Sequence, residues 1–445
     1  MASIFRPSTF NKLKPLLQAK ATAFGTFRPK SLMGLLPPTL LPMAGASRMA
    51  HVKALRQPIR NQTHVSTTLA AHLLSKNPDS NIVFSPLSIH AALSLLAEGT
   101  KGQTHNQLLD FLKTSTRNDL SSLYSQHVSS ILADGSPKGG PRLSFASGVW
   151  VDKTLSIKSP FKQVVDNVYK AACEHVDFLN KAGEVRKEVN TWVEKHTNNL
   201  IKELLPNGAV TNLTRLIFAN AIYFKGAWRK KFDRSKTNKS FFHLLNGKKV
   251  QVPFMTSKED QFVREYDNFK VLGLPYSRGK DKRQFTMYFY LPNAKDGLKS
   301  LVEKMGSTSN FLDNHIPYQE VKVGRFLIPK FKMGFGFEAS NILQELGLVL
   351  PFNSKDGLTE IADSSLGEKL DVSSIYHKAL VEVNEEGTEA AAVTAMVVIG
   401  SARRVQIPKR VDFVADHPFM FVIREDVTGA VLFMGQVTNP SATSD

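Results

Sequence analysis

The spacing of apolar residues divides much of the chain into helices and strands. Over residues 64–77 the apolar positions recur at helical spacing, and the turn signal Asn77-Pro78-Asp79 follows. Residues 81–100 predict a short apolar strand and then a buried helix that begins at Ser85-Pro86, because proline fits the first helical turn. A long amphipathic helix is predicted over residues 182–206, with an apolar side formed by Val189, Trp192, Val193, Ile201 and Leu204.

Strand patterns dominate the middle and the C-terminal part of the chain. Residues 215–228, RLIFANAIYFKGAW, form a nearly continuous apolar run, which is typical of a central strand buried on both faces. Further strands are predicted over residues 142–152, 268–276, 284–292, 319–333, 379–384, 410–426 and 430–440, with a short helix over 340–347. No βαβ alternation is visible, so the predicted fold class is α+β with large, mostly antiparallel sheets in one compact domain from about Asn61 to Pro440.

Charge is distributed unevenly along the 445 residues. No Asp or Glu precedes Asp79, whereas eleven Lys and Arg do, so only +7 of the net charge of +18 belongs to the rest of the chain. Residues 1–48 are basic and rich in Ser, Phe and Pro, which is the composition of an organelle transit peptide. A disordered extension, or translation from Met49, explains the same composition. No run approaches the ~20 apolar residues needed to span a bilayer.

Candidate enzyme chemistry is sparse. The sequence contains no G-x-S-x-G, H-E-x-x-H, C-x-x-C or phosphate-binding loop motif, and its twelve His residues show no metal-ligand spacing. The single cysteine, Cys173, excludes an intrachain disulfide and is better explained as a packed residue than as a nucleophile. We therefore predict a protein that is not an enzyme and has no cofactor or metal site.

The segment EEGTEAAAVTAM, Glu385 to Met396, is unusual in being charged at its start and small thereafter. As a strand it would place Thr388, Ala390 and Ala392 on one face, with Glu389 on the other. Small residues at the leading end favour a strand that can enter the middle of a sheet, and Gly387 supplies wide backbone freedom before it. A helix is the competing interpretation, because alanine favours helices.

Several motifs resemble those of the serpin family. EEGTEAAA resembles the serpin hinge, and DFVADHPFMFVI, Asp412 to Ile423, resembles the family's C-terminal signature in its plant-type wording. NIVFSPLSI, FANAIYFKGAW, VPFMTS, IPKFK and MGQVTNP resemble serpin motifs in order and at family spacing. The resemblance covers nearly everything after Met49, which implies a single serpin domain over residues 49–445.

The resemblance implies a metastable fold with three β-sheets, about nine helices and an exposed reactive-centre loop at about residues 385–410. It also implies a suicide-substrate inhibitor of serine endopeptidases, and it leaves cysteine endopeptidases open as further targets. The target protease cleaves the loop and forms an acyl-enzyme, and the freed loop then inserts as a strand into the central sheet. Loop insertion by serpins is an established example of strand addition with release of strain.

The resemblance also assigns roles to residues. It implies a hinge made of Glu385, Glu386, Gly387, Thr388, Glu389, Ala390, Ala391 and Ala392. It implies a breach group in which Glu385 pairs with Lys330 near Trp228, although Glu385 as a solvated surface acid is the alternative. It implies a polar shutter cluster beneath the sheet, made of Asn81, Ser85, Ser88, Asn220 and His377.

Family spacing from Glu385 places the scissile carbonyl on Ser401, with Ala402 after it. Ser401 suits a protease with a small, elastase-like specificity pocket. Arg403 and Arg404 stand beside this bond and suit a trypsin-like or Arg-directed cysteine protease. Cleavage after Arg403 is therefore the rival hypothesis, and it would lengthen the inserting segment by two residues.

The main alternative function is a non-inhibitory serpin that acts as a binding or carrier protein. Such relatives carry charged, bulky or proline residues in the hinge, and this hinge has only Glu389, so inhibition is favoured. A basic nucleic-acid binder is suggested only by residues 277–284, SRGKDKRQ, which a solvated hairpin loop explains better. We expect a monomer whose partner is a protease, without nucleic acid or membrane, located in a plastid or mitochondrion if residues 1–48 are a transit peptide and otherwise in the cytosol, nucleus or extracellular space.

Overall fold

The computed structural model describes residues 44–280, 282–353, 358–363, 370–387 and 410–442. The chain divides into Met1–Arg48 and Met49–Asp445, and the elements below belong to the second part, apart from the first turn of the first helix. The α-helices are α1 Ala44–Lys76, α2 Pro86–Glu98, α3 Gly102–Phe111, α4 Arg117–Leu123, α5 Ser129–Leu132, α6 Ser159–Val164, α7 Phe178–His196, α8 Leu298–Ser307, α9 Phe311–Asn314 and α10 Ala339–Glu345.

Helix α2 begins as the sequence predicts. Ser85 is the N-cap, its side chain accepts a hydrogen bond from the backbone N–H of Ser88, and Pro86 occupies the first turn. Every residue of α2 is buried, so this helix runs through the core. The predicted short helix over residues 340–347 is also confirmed as α10.

The prediction of one helix over residues 182–206 is wrong in its second half, because α7 ends at His196. Asn198 and Asn199 adopt positive φ angles of 54° and 62°, a left-handed conformation that asparagine tolerates and that a helix cannot continue through. Ile201 and Leu204 are nevertheless buried in the same cluster as Val189. The apolar pattern therefore predicted burial correctly and conformation incorrectly.

Two of the three large sheets are formed mainly by strands from the C-terminal half of the chain. The seven-stranded sheet has the order β1 Ile82–Phe84, β18 Val431–Val437, β17 Phe419–Glu425, β10 Phe285–Pro292, β9 Phe269–Pro275, β8 Gln261–Glu265 and β11 Glu320–Val321, and its paired strands are antiparallel. The four-stranded sheet has the order β16 Val411–Val414, β12 Val323–Pro329, β7 Lys249–Met255 and β6 Asn238–His243. A small pair joins β14 Ala362–Asp363 to β3 Ser156–Ile157.

The five-stranded sheet positions the site. Its order is β13 Phe331–Glu338, β15 Ser374–Val383, β5 Leu216–Lys225, β2 Arg142–Asp152 and β4 Ala172–Val176. Strand β5 is in the middle and nine of its ten residues are buried, which confirms the predicted central strand. Its side chains alternate between two cores, with Phe218 and Ile222 on the side of the main core and Ile217 and Ala219 on the side of α7.

The predicted α+β class with three large sheets is confirmed, and β17 and β18 pair as an antiparallel hairpin. None of the helices in the described part of the chain combines the length and the apolar character needed to cross a bilayer.

Candidate functional site: the base of the loop and the groups beneath it

The segment predicted to enter the sheet as a strand begins after the C-terminal end of β15. The structure describes its first residues, Glu385, Glu386 and Gly387. The other predicted hinge and reactive-bond residues lie outside the described residues: Thr388, Glu389, Ala390, Ala391, Ala392, Ser401, Ala402, Arg403 and Arg404.

Gly387 occupies a position that only glycine fits. Its φ is +101°, and its backbone bridges to Ala227 and to Asn384. A Cβ placed here would lie 2.4 Å from the backbone nitrogen of Trp228 and 2.5 Å from the carbonyl oxygen of Gly226. Close backbone approach and a left-handed conformation together therefore require glycine where the chain turns away from β15.

Glu385 and Lys330 form the predicted ion pair. The ammonium of Lys330 lies 2.8 Å from Oε2 and 3.1 Å from Oε1 of Glu385, and the Thr237 hydroxyl donates to Oε1 at 2.8 Å. Glu385 is only 4% exposed, so the alternative of a solvated surface acid is wrong. Burial opposes ionisation of Glu385, but the hydrogen bonds from Lys330 and Thr237 outweigh it and lower the pKa of the carboxyl.

Trp228 holds the loop base, residues 384–387, through hydrogen bonds to its backbone. Its indole Nε1–H donates to the carbonyl of Asn384 at 2.9 Å, and its own N–H donates to the carbonyl of Glu386 at 2.9 Å. The indole also stacks on Tyr276, with ring centroids 4.5 Å apart. The structure thus brings together the three residues predicted for the breach group, Trp228, Lys330 and Glu385.

Several contacts to the loop base were not predicted. Glu386 forms ion pairs with Lys231 at 2.7 Å and with Arg234 at 3.5 Å, and the Thr237 hydroxyl donates a hydrogen bond to Glu385. These partners come from residues 229–237, the basic and polar part of the connection between β5 and β6. Their positive charge opposite the two adjacent acids at 385 and 386 was the one available signal.

A buried polar cluster lies beneath the junction of β15 and β5. His377 is fully buried, and its Nε2 accepts a hydrogen bond from the backbone N–H of Ser85 at 2.9 Å. The Ser88 hydroxyl donates to the side-chain oxygen of Asn220 and lies 3.5 Å from Nδ1 of His377. The amide of Asn220 in turn donates to the carbonyl of Ser88 at 3.1 Å. The cluster therefore connects the start of α2 to both strands.

The ring of His377 is neutral over the physiological range. Burial disfavours the imidazolium and lowers its pKa to about 3. A neutral ring lets Nε2 act as the acceptor that the Ser85 N–H requires.

The structure does not bring Asn81 to this cluster. Asn81 precedes β1 and Ser85 follows it, so the two residues stand at opposite ends of a three-residue strand. Asn81 instead binds the segment after β18: its amide donates to the carbonyl of Asn439 at 2.6 Å, and its oxygen accepts from the N–H of Thr438 at 2.9 Å.

The junction above the cluster is a parallel pairing. β15 and β5 run parallel over seven Cα pairs, from Ser374–Ile217 to Leu380–Tyr223, whereas β13 is antiparallel to β15 and β2 is antiparallel to β5. Two parallel neighbours in the middle of this sheet leave space in the topology for one antiparallel strand between them.

No group of three or more His, Cys, Asp or Glu is placed to hold a metal ion among the residues described.

Comparisons with known proteins agree with this geometry. A sequence model of the family Serpin, described as serine protease inhibitor, matches residues 60–440. Serpin-ZX of Arabidopsis thaliana is 54% identical over 389 residues, which is 87% of this chain and 99% of the relative. Serpin-ZXA of Oryza sativa subsp. japonica is 53% identical over 392 residues, covering 87% of this chain and 98% of the relative.

Solved structures show the same fold. Arabidopsis AtSerpin1 in its native stressed conformation matches with a TM-score of 0.82 and 53% identity, covering 87% of this chain and 99% of that one. Human thyroxine-binding globulin matches with a TM-score of 0.74 and 26% identity, covering 87% and 100% respectively. The predicted serpin fold is confirmed, and the chain belongs to the serpin family of serine protease inhibitors.

Proposed function

We propose that this serpin inhibits serine endopeptidases, and cysteine endopeptidases of matching specificity, once per molecule, by cleavage of its loop, acyl-enzyme trapping and insertion of the loop into the five-stranded sheet. Family membership supports a role as a protease inhibitor rather than as an enzyme. The proposal adds the mechanism and the residues that perform it.

The parallel pairing of β15 and β5 is the observation that carries the proposal. The loop continues directly from the C-terminal end of β15, so a segment that folds back along β15 must run antiparallel to it. Because β5 is parallel to β15, the same segment is antiparallel to β5 as well. Insertion therefore replaces one parallel ladder with two antiparallel ladders, a net gain of one ladder at about 1 kcal/mol per hydrogen bond.

The loop base determines when insertion begins. Glu385 precedes Thr388 by three residues in the chain, and in this mechanism it leaves Lys330 and Thr237 as residues 388–392 enter the sheet. Thr388, Ala390 and Ala392 would lead on one face of the new strand, and their small size lets them pass between β15 and β5. The Ser88–Asn220–His377 cluster lies below this gap and can exchange hydrogen bonds while the strands separate.

Trapping follows from ordinary acyl transfer by the protease. The nucleophilic oxygen or sulfur of the protease attacks the carbonyl carbon of Ser401, the bond between Ser401 and Ala402 breaks, and the amine of Ala402 leaves with a proton from the catalytic histidine of the protease. Insertion then carries Ser401, whose carbonyl carbon is bound to the protease as an ester or thioester, away from Ala402. A protease pulled out of shape in this way no longer activates the water that would hydrolyse the acyl bond.

A panel of purified proteases tests the proposal. We expect an elastase-like enzyme to give a complex that survives SDS, with mass spectrometry showing the released peptide starting at Ala402. Thr388→Arg places a charge in the leading part of the new strand, so the variant should still be cleaved at the same bond but give no complex. Ser307→Arg, a charge change at an exposed position of α8, is the control.

Two outcomes contradict parts of this account. A stable complex whose released peptide starts at Arg404 would assign the reactive bond to Arg403. Cleavage without any complex across elastase-like, trypsin-like and cysteine proteases, and no gain in thermal stability afterwards, would contradict inhibition and favour a binding or carrier protein.

A further inference from the structure

The positive charge of the folded domain is concentrated in three segments. Residues 135–142, 225–237 and 277–284 contain twelve Lys and Arg and two Asp, a net charge of +10. The whole chain from residue 79 onwards carries only +7, so the rest of it is net negative. Such a concentration of one sign of charge attracts partners of the opposite sign when it lies on one surface.

Strand pairing places the three segments at the end of the sheet where the loop base lies. β5 is parallel to β15, so residues 225–237 follow β5 at the same end at which Gly387 follows β15. β2 is antiparallel to β5 and begins at that end, directly after residues 135–141. Ala227 bridges to Gly387, and the Ser277 N–H donates to the carbonyl of Ala227 at 2.6 Å. The basic segments therefore lie beside the loop base.

Backbone contacts hold two of these segments against each other. The N–H of Lys280 donates to the carbonyl of Lys138 at 2.8 Å. Gly279 packs closely on Gly140, since a Cβ on Gly279 would lie 2.5 Å from the nitrogen of Gly140. Lys138 and Lys280 are thus fixed as neighbours. Like charges held next to each other repel, and an anionic partner would offset this repulsion.

Four exposed cations of these two segments form a surface that we call the basic patch: Lys138, Arg278, Lys280 and Lys282. None of the four has an ion-pair partner among the described residues. The acids in contact with the two segments are already engaged, because Asp134 accepts hydrogen bonds from Ser136 and Glu425 accepts one from the N–H of Gln284. With Asp281 of the same segment included, the patch keeps a net charge of +3.

The cations of the third segment are largely neutralised and contribute less. Arg229 and Lys230 share Glu320, and Lys236 pairs with Asp233. Lys231 and Arg234 pair with Glu386 of the loop base, as described above. The basic patch is therefore the part of this surface that is available to a partner.

A protein with an acidic surface fits the patch better than a nucleic acid does. Proteins that bind single strands combine a basic groove with aromatic side chains on which bases stack, and residues 135–142 and 277–284 contain no aromatic residue. The patch also lies beside the loop that a target protease must bind. A protease of about 230 residues is about 45 Å across, so on a segment that begins after Gly387 it would extend over this end of the domain.

We propose that the basic patch is a docking surface for an acidic surface of the target protease, which it attracts to the loop before cleavage. This inference rests on the proposed inhibition of proteases. Charge complementarity acts mainly on diffusional encounter, so the patch raises the rate of association and leaves the reactive bond and loop insertion unchanged. Proteases of the same cleavage specificity should then be inhibited at rates that increase with the negative charge of their surfaces.

Two charge-neutralised variants of the full chain test the patch. The patch variant combines Lys138→Gln, Lys280→Gln and Lys282→Gln. The control variant removes the same number of charges from exposed lysines of α7 and α8, by Lys187→Gln, Lys195→Gln and Lys299→Gln. The probe is an elastase-like serine protease made acidic by succinylation of its surface lysines. Its turnover of a small substrate checks its active site, and melting temperatures check that both variants fold.

We expect the patch variant to associate with the succinylated protease about ten-fold more slowly than the unaltered protein at low ionic strength. The control variant should match the unaltered protein. The difference should disappear in about 1 M salt, where the Debye length is about 3 Å, and the cleaved bond should stay the same. Equal rate constants for the two variants at low ionic strength would overturn the proposal. If only the patch variant had also lost binding to single-stranded DNA, such equal rates would assign the patch to a polyanion instead.

A protease that cannot acylate separates this inference from the proposed function. With its nucleophilic serine replaced by alanine, the succinylated protease can dock but cannot be trapped, and fluorescence reports its rate of association. If this rate depends on the patch while the active protease gives no complex with the unaltered protein, the docking surface stands and the proposed inhibition is wrong. If trapping proceeds at a rate that is independent of the patch, the docking surface alone is wrong.

Discussion

The ion pair at the loop base offers the sharpest test of how insertion is controlled. Lys330→Met removes the ammonium that lies 2.8 Å from Glu385 and keeps an apolar chain of similar length. In the proposed mechanism, Glu385 leaves this pair as the hinge enters the sheet. We therefore expect the variant to convert faster from the loop-exposed form to a loop-inserted form, without any cleavage.

The magnitude follows from the contacts. A hydrogen bond to a charged group contributes about 1.5–3 kcal/mol. One third of the Lys330 side chain is exposed, so solvent screening reduces this to about 1–2 kcal/mol. Glu385 keeps its bond from Thr237 in both proteins. If the pair is broken at the transition state for insertion, conversion should accelerate by about 5- to 30-fold.

The assay is the rate at which each protein, held below its melting temperature, becomes resistant to unfolding in concentrated urea. Lys332→Met is the matched control, because Lys332 is an exposed lysine of β13 two residues after Lys330. If both variants convert at the same rate, the Lys330–Glu385 pair does not control insertion.

The same ion pair gives a test by pH. The pKa of Glu385 is lowered, so the contribution of this carboxylate to stability is complete above about pH 4.5 and is lost as the pH falls through the lowered pKa.

Three further predictions concern the stability of the unreacted form. Gly387→Ala should lower the melting temperature, because a positive φ alone costs about 1–2 kcal/mol for a residue with a Cβ, and this Cβ would also meet backbone atoms. Gly208→Ala is the control, since Gly208 has a φ of +82° but open space around it, and it should lower the melting temperature less. Equal losses would contradict the close backbone contact at Gly387. Ser88→Ala should destabilise by about 1–3 kcal/mol in urea unfolding, because it leaves the buried side-chain oxygen of Asn220 without its donor. Ser307→Ala, exposed on α8, should change the stability little, and equal effects of the two substitutions would argue against the cluster. The pKa of His377 is lowered from 6.5 to about 3, so the contribution of the neutral ring to stability is complete above pH 6.5 and declines towards pH 3. Calorimetry should show a smaller decline in stability over this pH range for His377→Gln. An unchanged pH profile in the variant would contradict the assignment of the decline to His377.

Much of the fold could be predicted because the pattern and the packing agree. β5 reads as a continuous apolar run, and it is the middle strand with a core on each face. Ser85-Pro86 specifies a helix start, and α2 begins there. The segment after His196 shows the limit of such patterns: Ile201 and Leu204 are buried as their spacing suggests, but Asn198 and Asn199 end the helix through a left-handed conformation that periodicity does not record.

The candidate site was predictable only where a motif carried it. The pairing of Glu385 with Lys330 came from the resemblance to serpins, since 55 residues separate the two and no local rule connects them. Thr237 and Lys231 were missed for the same reason, because a connecting segment of mixed polar residues gives no indication of the strand it will contact. Asn81 was placed in the shutter cluster by the resemblance to serpins, yet the three-residue strand between Asn81 and Ser85 is long enough to put them in different surroundings.

Stored strain in the unreacted form is the central claim, and a comparison of melting temperatures tests it most directly. The intact protein and the protein nicked between residues 401 and 404 would be heated side by side in a calorimeter. A strand as long as β15 or β5, ten residues, gains about 10 kcal/mol from one additional ladder, comparable to the whole stability of a typical domain. We predict that the nicked protein melts well above the intact one, by about 10 °C or more. A nicked protein that melts at or below the temperature of the intact one would contradict the account.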